Sequence, residues 1–232
     1  MRVAIIENMP FTQHGLVGVA LRETGAEIDV IRAFAGEPLP TDIHDHDALV
    51  VFGGEQNARD DHTHRYLPAL AGAMKGFGDA GKAVLGICLG SQLLARAYGG
   101  ENLIGAAPEF GWRDIALTDG AKSDPVLGHL GRQFISFQWH DDTFTLPPDA
   151  IRLAENDIAS NQGFRVGRAA YGMQFHFEAD RPVVEEWIRL FPAHVERKEP
   201  GWLARHPEHA ARHGPEAEAF GLEIARAWVR QI

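Results

Sequence analysis

A chain of 232 residues with 45% apolar composition suits one α/β domain with an appendage and has ample material for a core. Its formal net charge of −10 argues against a nucleic-acid partner, which requires a basic face, and no apolar run is long enough for a membrane span. A single cysteine excludes an internal disulfide, and an apolar stretch opens the chain without a signal-peptide layout, so the expected location is cytoplasmic.

In chain order, 3–6 reads as a first parallel strand. A helix is expected over 13–23, with Leu16, Val19, Ala20 and Leu21 on or near one face and Gly25 as its stop. A second strand is expected over 28–31, a loop over 36–40, and a third strand over 48–52, ending at Gly53-Gly54. Leu67, Leu70, Met74 and Phe77 have helical spacing within 66–80. Gly81-Lys82 turns into an apolar strand over 83–87, and a helix over 89–98 follows at once. Strands alternating with helices imply a mostly parallel sheet covered on both faces. The pattern changes after Gly99-Gly100. Strands are expected over 114–117, 134–137, 151–154, 158–166 and 169–175, with Gly167-Arg168 as a hairpin turn, so this half reads as antiparallel or mixed. From Arg181 the sequence is helical again. Pro182 suits a helix start, and Val184, Trp187, Ile188 and Phe191 make an apolar face. Pro215 predicts the start of a last helix carrying Phe220, Ile224, Ala227 and Trp228, which pack on the domain or meet a partner.

The junction of 83–87 with 89–98 carries the chemistry. Cys88 sits between Gly86 and Gly90, which is the Gly-x-Cys-x-Gly pattern of a nucleophile elbow. The glycines allow a strand to turn sharply into a helix, and a helix N-terminus favours thiolate over thiol. A small buried core cysteine is the alternative. Among twelve histidines, context favours His176, at a strand end and two residues before Glu178. In an extended chain, positions i and i+2 face one side, so Glu178 would orient the imidazole. A plain surface histidine is the alternative there. An elbow also places the backbone N–H of Leu89, the residue after the nucleophile, toward a developing oxyanion.

The segment Gly86-Ile87-Cys88-Leu89-Gly90-Ser91-Gln92 resembles the elbow of the class I glutamine amidotransferases, and Gln174-Phe175-His176-Phe177-Glu178 resembles the strand end that supplies their His and Glu. The likeness runs from about Arg2 to Glu178 and is nearest to stand-alone, GMP-synthase-like amidotransferase domains, a likeness to which 109–112, 138–144 and 161–165 add. It implies a flavodoxin-like three-layer α/β sandwich with a central, mostly parallel sheet. The expected division is 1–190 for the amidotransferase-like domain and 191–232 for a helical C-terminal extension packed on it. It further implies a catalytic set of Cys88, His176 and Glu178, an oxyanion hole from Gly54 and Leu89, and substrate contacts from Gln92 and Trp139. The implied reaction is hydrolysis of a glutamine or γ-glutamyl amide through a Cys88 thioester, releasing ammonia or an amine. Two readings stay beside it: a γ-glutamyl peptidase acting on small γ-glutamyl compounds, and a non-catalytic regulatory module on the same fold. Expected partners are a small-molecule substrate and, for an amidotransferase, a separate synthetase subunit. No cofactor is expected.

Three positions depart from the family pattern. Phe177 stands where proline is usual, Asp141 where glycine is common and Glu55 where proline is frequent. His140 reads as structural. The clusters His44-Asp45-His46-Asp47 and Asp60-Asp61-His62-Thr63-His64 lack the spacing of a structural zinc site, so no metal is expected. His206, His209 and His213 read as exposed helix surface, and Gly99-Gly100 follows a helix where a nucleotide loop would open one.

Overall fold

Side-chain alternation along the first strand decides the layering. In β1 (Arg2–Glu7), Val3 and Ile5 face one side of the sheet and Ala4 and Ile6 the other, and all four are fully buried. A strand buried on both faces needs helices above and below it. The computed structural model, which describes residues 1–40 and 42–232, supplies them. Along the chain, β1 is followed by α1 (Gly15–Glu23), β2 (Glu27–Arg32), β3 (Ala48–Val51), α2 (Leu67–Asp79), β4 (Ala83–Ile87) and α3 (Leu89–Ala97). The second half contains β5 (Asn102–Leu103), β6 (Glu109–Leu117), β7 (Gln133–His140), β8 (Thr143–Phe144), β9 (Ile151–Glu155), β10 (Gly163–Val166) and β11 (Ala170–Met173). Helices α4 (Arg181–Leu190), α5 (Pro192–Lys198) and α6 (Trp202–Val229) end the chain.

The main sheet has the order β2-β1-β3-β4-β11-β10-β9-β6-β7. Pairings from β2 through β4 to β11 are parallel, and those from β11 onward are antiparallel. The fold is therefore the expected sandwich with a mostly parallel centre, extended on one side by antiparallel strands. On one face, α1 and α6 bury Val17, Leu21, Ile224 and Trp228 against Val3, Val50 and Leu85. On the other, α2 and α3 bury Leu70, Phe77, Leu93 and Leu94 against Ile6, Leu49 and Val84. A third cluster joins Phe110, Trp112 and Phe137 of the antiparallel strands to Trp187 and Trp202 of the terminal helices. Among the described residues, no helix is long and apolar enough to cross a membrane.

Several expectations need correction. The last helix does not begin at Pro215: α6 starts at Trp202 and runs through both Pro207 and Pro215. Packing explains this, since Trp202, Ala217, Ile224 and Trp228 on one helix are all buried, and that face outweighs the lost backbone bonds at two prolines. Strand β6 begins at Glu109, five residues before the expected start. Gly111, with φ +84°, disguises the strand in the sequence, and that left-handed backbone is what favours glycine there; a Cβ would also lie 3.3 Å from the Trp202 indole nitrogen. The strand expected over 158–166 is only β10, because the Asn156 side chain accepts from the N–H groups of Ile158 and Ala159 and holds a turn there. In α1 the buried positions include Val17, while Val19 is half-buried.

Candidate active site

Strand β4 pairs in parallel with β3 and β11, so its C-terminal end lies at the centre of the sheet, where parallel α/β folds place ligands. There the chain turns into α3 within one residue. Cys88 takes φ +51°, ψ −108°, and among the described residues only Asp149 is another non-glycine with positive φ. Such a conformation is strained for an L-residue and must be held by its surroundings. It is held by close contact: a Cβ on Gly86 would lie 2.3 Å from the Gly90 oxygen, and one on Gly90 would lie 2.1 Å from the Val51 oxygen. The Cys88 N–H donates to the Met173 oxygen of β11 at 2.8 Å, and its carbonyl accepts from the N–H groups of Ser91 and Gln92. Cys88 as a residue is 8% exposed, and its thiol points toward the Trp139 carbonyl, 3.8 Å away.

His176 reaches the same place from the other chain half. Its N–H donates to the Phe137 oxygen at 2.8 Å, which fixes the chain just after β11. The imidazole Nδ1 pairs with Glu178 Oε1 at 2.7 Å. The i, i+2 pairing exists, but a turn at 177–178 makes it where an extended strand was expected. Gly53 reports the relation of the imidazole to the thiol: a Cβ there would lie 3.3 Å from His176 Cε1 and 3.5 Å from Cys88 Cβ. Burial alone would lower the imidazole, but the Glu178 carboxylate and the Cys88 sulfur outweigh it and push its pKa up to about 10. Glu178 is itself buried, and its Oε2 has no partner among the described residues. Phe177 is buried beside Phe175.

Gly54 and Leu89 are neighbours, since a Cβ on Gly54 would lie 2.9 Å from Leu89 Cδ2. Within the described residues, neither backbone N–H donates to a protein acceptor. Both residues line a cavity of about 450 Å³ that also holds Cys88, His176, Glu178, Gln92 and Trp139. All seven expected site residues therefore border one space. Gln92 reaches it from α3, but its amide nitrogen already donates to Gln174 Oε1 at 3.2 Å and to the Asp142 oxygen at 3.5 Å. Trp139 is half-buried, and its ring packs edge-on against Phe110, Trp187 and Phe191.

A buried polar layer supports the 138–142 segment. His140 Nε2 lies 3.1 Å from Glu109 Oε2, close enough to pair as charges but misaligned for a hydrogen bond, while Nδ1 meets the Asp142 oxygen at 2.9 Å. Glu109 also accepts from Asn156 and Gln162, and Gln162 accepts from Gln138. His140 is thus both structural and part of the cavity wall. Sequence reading missed Lys198 and His194, which α5 brings to the same cavity. The available signal was Pro192, which suits a helix start after Phe191.

The candidate metal clusters are otherwise engaged. His46 pairs with Asp29 at 2.8 Å, and Asp61 holds Arg96 through two bonds of 2.7 Å. Among the described residues, no group of three or more His, Cys, Asp or Glu side chains is gathered to hold a metal ion. His206, His209 and His213 are half-buried, contrary to expectation, because His206 packs on Trp112 and Trp202, and His209 stacks with Trp202 and His213.

Comparison with known proteins places the chain in a family. The model of the family described as glutamine amidotransferase class-I matches residues 14–188. The glutamine amidotransferase-like protein YfeJ of Salmonella typhimurium is 32% identical over 192 residues, covering 82% of this chain and 80% of that one. A subunit of the glutamine-hydrolyzing GMP synthase of Natronomonas pharaonis is 30% identical over 179 residues, covering 76% of this chain and 88% of that one. A crystal structure of a glutamine amidotransferase from Thermotoga maritima superposes with a TM-score of 0.86 at 26% identity, over 100% of this chain and 97% of that one. With the family match running from α1 into α4 and similarity extending over most of two curated relatives, the chain belongs to the class-I glutamine amidotransferase family.

Proposed function

We propose that this protein hydrolyses the side-chain amide of glutamine or of a small γ-glutamyl compound through a thioester on Cys88. The observation that carries the reading is the meeting of Cys88, in its strained elbow, with the buried His176–Glu178 pair at one cavity. In this reading the Cys88 thiolate attacks the amide carbon and the carbonyl π-electrons move to oxygen. The N–H groups of Gly54 and Leu89, unpaired among the described residues, stabilise that oxyanion. Imidazolium His176 protonates the leaving nitrogen as the C–N bond breaks, and ammonia or an amine departs. Water then loses a proton to His176 and attacks the thioester, releasing the carboxylic acid product, which ionises in solvent, and restoring the Cys88 thiolate beside imidazolium His176. Glu178 holds Nδ1 at 2.7 Å, which orients the ring and stabilises its charged form without giving up a proton.

Gln92 and the 138–142 segment, with Trp139, are the proposed substrate contacts. A second reading, γ-glutamyl peptidase activity, is supported by the extent of the cavity, which continues to Glu55, Gln56, Asp60 and Ile104 and leaves room for an amine substituent. For the ammonia itself, one relative is named as one subunit of a glutamine-hydrolyzing GMP synthase. A separate synthetase subunit is accordingly the proposed acceptor when glutamine is the substrate.

The test is a screen of the purified protein for glutamate release from glutamine and from γ-glutamyl dipeptides, with Cys88→Ser as the blank. Release by the wild type and none by the variant is expected. Equal release by both would overturn the reading.

A further inference from the structure

We propose that Trp187 of α4 is a positioning residue for the hydrolysis: its indole ring is the wall that holds the His176 imidazole toward Cys88. This rests on the amide-hydrolase reading and adds to it a residue that acts through His176 and exchanges no proton itself.

A single hydrogen bond does not fix the plane of a ring. The bond from Nδ1 to Glu178 holds one edge of the imidazole, and Gly53 approaches it at Cε1. Trp187 supplies the third contact: the two rings meet edge to face, with centroids 4.9 Å apart and planes at 73°. The same indole packs on two side chains of β7, Phe137 at 6.4 Å and Trp139 at 6.1 Å between centroids. The Phe137 carbonyl accepts from the His176 N–H, and the Trp139 carbonyl faces the Cys88 sulfur. One side chain thus meets the imidazole and both residues whose backbone flanks the reacting groups. The imidazole must first aim a proton at the leaving nitrogen and then take one from water, so a ring free to rock loses rate in both steps.

Packing alone does not account for tryptophan here. Trp187 is 6% exposed and borders the cavity, and its Nε1 has no partner among the described residues. A buried indole N–H usually finds an acceptor, and leaving it unpaired is destabilising. Methionine would fill the space without that cost. What it lacks is a broad, rigid surface that meets the imidazole and both β7 rings at once. The chain also ties this wall to the pair it supports. Helix α4 starts just after Glu178, where the Asp180 carboxylate accepts from the Val183 N–H at 3.0 Å and caps it. The turn that presents His176 and Glu178 therefore leads straight into the helix that presents Trp187.

The experiment reads the imidazole itself by NMR of protein with isotope-labelled histidine, so turnover is not needed. The Nδ1–H of His176, assigned by its loss in His176→Ala, is expected to be protected from exchange with water, since Glu178 accepts it and Trp187 covers the pair. Trp187→Met should speed that exchange about tenfold or more, and Trp187→Phe, which keeps a ring, should stay within about threefold of the wild type. Ile188→Ala thins the same cluster away from the cavity and should leave the exchange unchanged. Equal acceleration by Ile188→Ala and Trp187→Met would reduce Trp187 to packing and overturn the proposal. An unprotected proton in the wild type would overturn it whether or not the variants fold. With glutamine as substrate, Trp187→Met should lower kcat about tenfold with KM retained, and Trp187→Phe should restore most of the loss. A raised KM with kcat retained would make Trp187 a substrate contact and also overturn the proposal. Hydrolysis with an unprotected proton would remove the wall and leave the hydrolase reading. The expected exchange pattern without hydrolysis would do the reverse.

Discussion

Replacing Gly90 by alanine sets two physical effects against each other. Gly90 lies in the first turn of α3 without positive φ, so intrinsic propensity alone gives alanine an advantage of about 1 kcal/mol. Packing opposes it. The new Cβ would lie 2.1 Å from the Val51 oxygen and 3.3 Å from Val51 Cβ, and ordinary contact begins at 3.4 Å. Helix α3 and strand β3 would have to separate by about 1 Å, and overpacking of that kind costs about 1–3 kcal/mol. The same shift moves Cys88 and the Leu89 N–H relative to Gly54, and a misplacement of about 1 Å at reacting groups can cost about 100-fold in rate. Gly72 in α2 is the control, because it is exposed and a Cβ there meets nothing within 4 Å. Urea unfolding and steady-state glutamate release should be measured on both variants. We expect Gly72→Ala to gain about 0.5–1 kcal/mol with unchanged turnover, and Gly90→Ala to lose stability with turnover down about 100-fold. A Gly90→Ala protein as stable and active as the wild type would refute the reasoning.

His176→Ala should reduce glutamate release by orders of magnitude, while Glu178→Gln, which keeps the shape but weakens orientation of the ring, should cost less; the reverse order in kcat would reject the role assignment. Because the folded-state pKa of His176 is raised to about 10, its stabilising contribution is complete below the unfolded value of about 6.5 and disappears as pH rises through 10. Unfolding midpoints of wild type and His176→Ala should accordingly converge between those pH values, and a gap that widens with pH would contradict the sign. Pro215 is exposed within α6, so Pro215→Ala should restore a backbone bond and raise the unfolding free energy by about 1–3 kcal/mol, against a fall if the proline is needed for the helix path.

The central sheet was legible because its strands are short apolar runs, buried on both faces and separated by helical spacing, as in 48–52 and 83–87. The elbow was legible because its geometry needs small residues at 86 and 90, and a lone cysteine stands between them. Long-range packing was not visible in local pattern. Pro215 signals a helix start only until Trp202 and Trp228 are seen buried on one helix, and Gly111 obscures β6 until the Trp202 ring beside it is seen. Lys198 lies 57 residues from Asp141. Nothing in either local sequence predicts that α5 folds back over the end of β7, so this wall of the cavity emerges only with the fold.

The reading depends most directly on whether Cys88 becomes acylated by a γ-glutamyl group. Intact-mass spectrometry after incubation with a glutamine-derived chloroketone, which alkylates a Cys88 thiolate with loss of chloride, tests the nucleophile that this acylation requires, without assuming an acceptor for the ammonia. We predict one adduct per chain, located on Cys88, slowed by excess L-glutamine and absent in Cys88→Ser. An unmodified Cys88, or labelling at the same rate with and without glutamine, would contradict it.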